Sequence, residues 1–392
     1  MNIILSDAGL HKRFLPLSYT RAIADFRVGI LTIKEKWEKF LNSEVSVLTE
    51  NYLQEKYNLK INSKNIIVNA SVIPDEALIK EITELDKPAL VKEDTVICFA
   101  CGKNIDVDFN VIPAEYKKYT SEIKILKYLP SIFLMNDAEI KADFKLITKE
   151  RKSQKLSNTN IVIGSTDEIF LEEGSFVEAC TLNTTGGPVY IGKNSQLMEG
   201  TNIRGAFALC EDSIVKMGAK IYGATTIGPG SKVGGEINNS VFFANSNKAH
   251  DGFLGNSVIG EWCNLGADTN NSNLKNNYSN VKIWNYEKEE FSDTKLQFCG
   301  LFMGDHSKSG INTMFNTGTV VGFSANIFGA GFPRNVIPSF SWGGHAGIKE
   351  YKIDKALETI QKVIERRNLK LSDTDIKIIN HIYKICSGNK MK

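Results

Sequence analysis

The chain has 392 residues, 42% of them hydrophobic and 23% charged, with a formal net charge of +2. That length is too great for one ordinary core and predicts at least two domains, while the composition excludes a fibrous or disordered chain. The near-neutral charge without a basic stripe predicts no nucleic-acid partner, and no apolar run is long enough to predict a membrane span.

The first segment, MNIILSDAGLHKRFLPL, lacks a long apolar core and a small-residue cleavage site, so no signal peptide is expected. Seven cysteines at scattered positions read as reduced thiols of a cytoplasmic protein. Cys98 and Cys101 form a lone C-x-x-C, which reads as two half-buried thiols before it reads as zinc or a redox pair.

Residues 1–152 read as an α/β domain. Ile3–Leu5 is the first apolar strand, and residues 6–13 are the loop after it. Ile30, Ile33, Trp37 and Leu41 have helical spacing over residues 29–41. Residues 45–48, 66–68 and 96–99 are short apolar runs of the kind found in parallel strands. A polar stretch, 153–160, reads as a linker.

From there to about residue 338 an apolar opener recurs every six residues. The first run is Ile191, Leu197, Ile203, Leu209, Val215, Ile221, Ile227 and Val233; it resumes at Phe253, Ile259 and Leu265, then at Met303, Ser309, Phe315, Val321 and Ile327. Small residues such as Ser195, Ser213, Ser231, Cys263 and Ala325 follow four positions later. A period of six is neither helical nor that of a simple strand, and it predicts a parallel β-helix of three faces per coil over residues 153–345. Its two interruptions, 238–250 and 270–298, are where function is expected. Residues 346–392 carry two amphipathic helices, over 353–367 and after Ser372, that would cap or flank the solenoid.

The loop Ala8-Gly9-Leu10-His11-Lys12-Arg13 can hold phosphate through main-chain N–H groups and a cation. Continued by Phe14-Leu15-Pro16-Leu17, it is similar to the signature of sugar-phosphate nucleotidylyltransferases. That resemblance implies contacts from Ala8, Gly9 and Arg13 to a nucleoside triphosphate and assistance by Mg²⁺. His11 stands where the family has a second glycine, Arg21 or Arg27 would replace the family's lysine, and Asp137 is the candidate metal carboxylate. An ordinary βα turn remains the alternative.

Lys248-Ala249-His250 followed by Phe253-Leu254-Gly255 and Ile259-Gly260, then Asn264-Leu265-Gly266-Ala267-Asp268-Thr269, Asn273-Leu274 and Val281-Lys282-Ile283, resemble the acetyltransferase half of the bifunctional N-acetylglucosamine-1-phosphate uridylyltransferase/glucosamine-1-phosphate N-acetyltransferase family. The resemblance implies a Rossmann-like nucleotidyltransferase domain followed by a left-handed β-helix. It implies His250 as general base, with Asn264 and Asn273 at sugar and acyl groups. Lys248, Ala267, Lys282, Gly310 and Ile311 would contact acetyl-CoA or sugar, and main-chain N–H near Gly266 and Ala267 would meet the oxyanion. It further implies a homotrimer that takes sugar phosphate, nucleoside triphosphate and acetyl-CoA. Phe253 replaces a family tyrosine, and Glu236-Ile237-Asn238-Asn239 stands where the family grips the sugar phosphate with lysine. Three alternatives stay open: one activity alone, a non-catalytic trimer that binds a nucleotide-sugar, and a metal site from His250, His306 and His345.

Overall fold

A computed structural model describes residues 2–388, which form two compact units. The first unit holds residues 2–14, 20–26 and 31–129; the second holds 15–19, 27–30 and 130–388. The second unit takes the chain from Pro130, and two short N-terminal segments also belong to it.

In the first unit a six-stranded sheet runs in the order Ser46–Leu48, Asn2–Ser6, Asn65–Asn69, Thr95–Cys101, Ala89–Lys92, Lys117–Lys118. The first three strands are parallel, and Thr95–Cys101 joins antiparallel to Asn65–Asn69. Strands covered on both faces read as continuous apolar runs, as the sequence does here. The helix Ile33–Leu41 starts at Thr32, whose hydroxyl accepts from Glu35 N at 3.2 Å while the Glu35 carboxylate takes Thr32 N at 2.6 Å. Ile30, expected on that helix, lies outside it. In the second unit Ile30 N donates to Asp143 and Gly29 N to Asn136, each at 2.8 Å.

The second unit is a three-faced parallel β-helix with its core in the bore. One face stacks nine strands from Ile169–Leu171 to Val336–Ile337. The next has ten, from Phe176–Val177 to the closing hairpin Ser341–Gly344/Gly347–Glu350. The third has six, from Ile161–Ile163 to Phe253–Gly255. We call them the long, hairpin and short faces. The openers Ile191 to Val233 and their partners are buried in one apolar column. The small residues fill the corner between the long and hairpin faces, where their hydroxyls link coils. Ser195 Oγ donates to Cys210 O at 2.6 Å and accepts Ser213 N at 3.1 Å; Ser213 and Ser246 repeat the pattern, and Ser231 Oγ accepts Ser246 N. The expected linker is bonded onto the first coil, with Gln154 N to Leu171 O and Leu171 N to Ser153 Oγ.

At the first interruption the opener is Leu254, 1% exposed, paired with Ile237; Phe253 points outward. The coil from Val233 to Lys248 spans fifteen residues instead of eighteen, because its corners at Gly234-Gly235 and Asn239 are cut short. The C-terminal helices, Ile353–Glu365 and Asp373–Gly388, flank the solenoid: Arg367 Nη2 donates to Gly230 O at 2.6 Å.

Candidate functional site

The corner between the hairpin and short faces collects several sequence candidates. Gly234-Gly235, the loop 248–252, Gly266–Thr269 and Gly310–Thr313 stack there on successive coils. Asp268 N donates to Asp251 O at 3.0 Å and Asn312 N to Ala267 O at 2.8 Å. His250 is exposed at this corner, and Ile311, two coils away, is 70% exposed. Ala267 and Gly310 thus lie on the same stack as His250. Gly266 N–H is committed to Ser309 O at 3.1 Å. The sequence reading passed over Gly234-Gly235. Gly235 has a φ of +72°, and a Cβ there would lie 2.9 Å from Asp251 Cα and from Gly252 O and 3.0 Å from His250 O; one on Gly234 would lie 2.6 Å from Ala249 O. The break in the six-residue phase was the available signal.

Lys248 was expected to reach substrate and instead occupies the bore. It is 1% exposed, in register with Val233, and its Nζ donates to Gly234 O at 3.2 Å and His250 O at 3.0 Å. Burial pushes its ammonium down to about 8, against the opposing pull of Asp251 and Asp268. An unfolded lysine keeps its proton to about 10.4, so between those values the unfolded chain binds more protons and stability rises with pH. Lys248→Met is expected to flatten that rise, read as denaturation midpoints at pH 7.5 and 9.5.

The other candidates lie elsewhere. Asn264 is on the outer side of the hairpin face, accepting Asn247 Nδ2 at 2.9 Å. Asn273 is at the corner between the short and long faces, where its Nδ2 donates to Asn256 Oδ1 at 2.7 Å. The second interruption is an arm with a hairpin, Lys282–Asn285 against Glu290–Asp293. Exposed Lys282 stands on it beside Gly318, at that same second corner. Within one chain, therefore, the arm and His250 occupy different corners. The asparagines before the arm are structural: Asn270 Oδ1 accepts Phe253 N at 2.7 Å and Asn271 Oδ1 accepts Gly255 N at 2.8 Å. These amides stand in for the main-chain ladder of the short face, which stops at Phe253–Gly255. Glu236, on the short face beside Gly235, accepts Tyr222 OH at 2.6 Å and lies 3.4 Å from Lys220 Nζ.

In the first unit Ala8 and Gly9 turn the chain with φ of +51° and +73°. His11 fills the loop: its Nδ1 is 3.2 Å from Asp7 Oδ2 and its Nε2 3.1 Å from Tyr52 OH. Arg13 is half-buried on the 3₁₀ turn His11–Phe14. Arg27 belongs to the second unit and is spent there, its guanidinium on Ile30 O and near Cys210 Sγ. Asp137 also lies in the second unit, paired with Lys141 at 2.7 Å, one helical turn away. Asp7 Oδ1 accepts Ile23 N and Oδ2 accepts Thr49 Oγ1, and no group of three His, Cys, Asp or Glu suited to a metal occurs among the described residues. His306 is buried at the corner opposite the site, stacked on Trp262, and His345 bonds Phe332 O, so neither joins His250. Cys98 is buried, with its thiol pushed up to about 12 by burial, and Cys101 is half-buried. A cavity of about 450 Å³ at the last coil, lined by Arg334, Phe340, Lys349 and Cys386, contains none of the candidate residues. No helix among the described residues is long and apolar enough to cross a membrane.

Residues 3–152 match the family model described as sugar nucleotidyl transferase. The chain is 37% identical over 87 residues to the bifunctional protein GlmU of Methanocaldococcus jannaschii, covering 22% of this chain and 21% of that protein. It is 30% identical over 153 residues, 38% of each chain, to the bifunctional sugar-1-phosphate nucleotidylyltransferase/acetyltransferase of Sulfurisphaera tokodaii. The chain thus spans about a fifth to two fifths of the length of these relatives. The resemblance read from sequence is borne out by these matches. A UDP-N-acetylglucosamine acyltransferase of Arabidopsis superposes at 14% identity and TM-score 0.25, over 55% of this chain and 77% of that one.

Proposed function

We propose that the chain is a two-site transferase: a sugar-1-phosphate nucleotidylyltransferase in its first unit and an acetyl-CoA-dependent amino-sugar N-acetyltransferase in its β-helix, acting in the cytoplasm. The observation that carries the second half is the stack of His250, Ala267 and Ile311 on one corner. There an exposed imidazole can take the proton of an attacking amine. On this reading the Ala267 N–H meets the developing oxyanion, and the exposed Ile311 offers apolar surface to the acyl donor. Lys220 is already drawn to Glu236, so the sugar's binding here relies on hydroxyl and amine contacts more than on a lysine-held phosphate.

The first half rests on the positive-φ turn at Ala8-Gly9 followed by Arg13. The carboxylate set does not fit a resident metal, so Mg²⁺ enters on this reading with the nucleoside-triphosphate substrate. A panel of hexose and hexosamine 1-phosphates with UTP, dTTP and acetyl-CoA, read for pyrophosphate and free thiol, tests both halves. Arg13→Ala is expected to weaken nucleotide binding by about tenfold in titration calorimetry, the loss of one charge-assisted contact; unchanged binding removes Arg13 from the site.

A homotrimer would let the arm of one subunit complete the His250 corner of the next. His250→Ala and Lys282→Ala chains, each inactive alone, are expected to regain acetyl transfer when refolded together, through mixed boundaries that keep both residues. No recovery from the mixture would place both residues in one chain's site.

A further inference from the structure

We infer that Lys248 is a positioning residue for His250: its amino group, held inside the β-helix, fixes the main chain from which the imidazole projects. The inference rests on His250 acting as the base. At the equivalent inward positions of the same face stand Val177, Leu197, Val215, Val233, Leu265, Ser309 and Ile327, none more than 5% exposed and all but Ser309 apolar. Moving an ammonium out of water into such a bore is costly, and a methionine of similar length would fill the space without that cost. Two of its three donors go to carbonyls of neighbouring coils, Gly234 O and His250 O.

The rest of the corner is built around the same carbonyl. Beneath it, Gly234 and Gly235 carry no side chain, and any Cβ at Gly235 would press on the turn at Asp251 Cα, Gly252 O and His250 O. Above it, Asp251 O is held by Asp268 N, and a Cβ on Gly252 would lie 2.3 Å from Thr269 O. No side chain among the described residues hydrogen-bonds the His250 ring. A general base is ordinarily oriented by a third group that bonds its other nitrogen. Here the backbone clamp takes that task, with Lys248 as its inner jaw.

Lys248→Met tests this, with ¹³C-labelled histidine spectra in which the His250 signal is the one absent from His250→Ala. The expected result is a fold as stable as wild type at pH 7. It includes a kcat for amine acetylation at least about tenfold lower, KM for acetyl-CoA within about twofold, and a shifted or broadened His250 signal, because a small misplacement of a reacting group costs rate before binding. A wild-type kcat, or a lower kcat with an unchanged His250 signal, overturns the inference. Gly235→Ala pushes on the same turn, at Asp251 Cα, Gly252 O and His250 O, with Lys248 intact and is expected to give the same two changes; if Lys248→Met does not fold, a wild-type kcat in Gly235→Ala overturns it instead. An active His250→Ala enzyme would overturn the assignment of the base, while the His250 signal still reports whether Lys248 orients the ring.

Discussion

Acetylation of an amino sugar is expected to fall by about 10²–10⁴-fold in His250→Ala, the range for loss of a general base. The fold should not notice. The imidazole is exposed, and the contact its residue makes inward, from Lys248 Nζ, goes to the main-chain carbonyl that alanine retains. Melting temperature and subunit assembly should therefore match wild type, which separates a chemical loss from a structural one. Nucleotidyl transfer, assigned to the other unit, should also be unchanged. Full acetylation by the variant would remove His250 from the mechanism.

Asn271→Ala is expected to destabilise the solenoid although the residue lies outside its apolar column. Asn271 is 4% exposed and bonds both main-chain groups of Gly255: its Oδ1 takes Gly255 N at 2.8 Å, and its Nδ2 reaches Gly255 O at 3.1 Å. Alanine strands the buried Gly255 N–H, while Gly255 O keeps the Ser257 hydroxyl at 2.8 Å, so a loss of about 1–3 kcal/mol is expected in denaturant unfolding. Asn271→Leu refills the volume without the bonds and should recover little. Hydrogen exchange at the Gly255 amide should accelerate in both variants; protection equal to wild type would show that the amide is not held by this side chain.

The β-helix was legible because an opener at every sixth position has only one structural use. Ile191 to Val233 went where the spacing put them. Phe253 did not, because two shortened corners shifted the phase, and a residue count cannot tell an omitted corner residue from an omitted strand residue. Lys248 was misplaced for a related reason: in a string, a lysine two positions before a histidine reads as surface. The helix Ser131–Thr148 was missed because its buried stripe is interrupted by Asn136, Glu139 and Asp143. Those residues look solvent-facing, yet Asn136 serves Gly29 N, Ala224 O and Thr226 Oγ1. Arg27 and Asp137 fell outside the nucleotide loop because the chain passes between its two units four times before Pro130, which no local motif records. The asparagine block was recognised as unusual, but its role as a substitute ladder depends on the coil beneath it.

That substitute ladder makes the short face a spliced ruler. Up to Phe253–Gly255 each coil is measured against the last by main-chain bonds, and beyond it the count restarts at Asn270–Asn271 against Met314–Phe315. The other two faces run through the splice unbroken. Chain can be added or removed between Ser272 and Cys299 without altering which residues later point inward. The length of the arm is therefore a free parameter of this architecture, adjustable to whatever lies across from it.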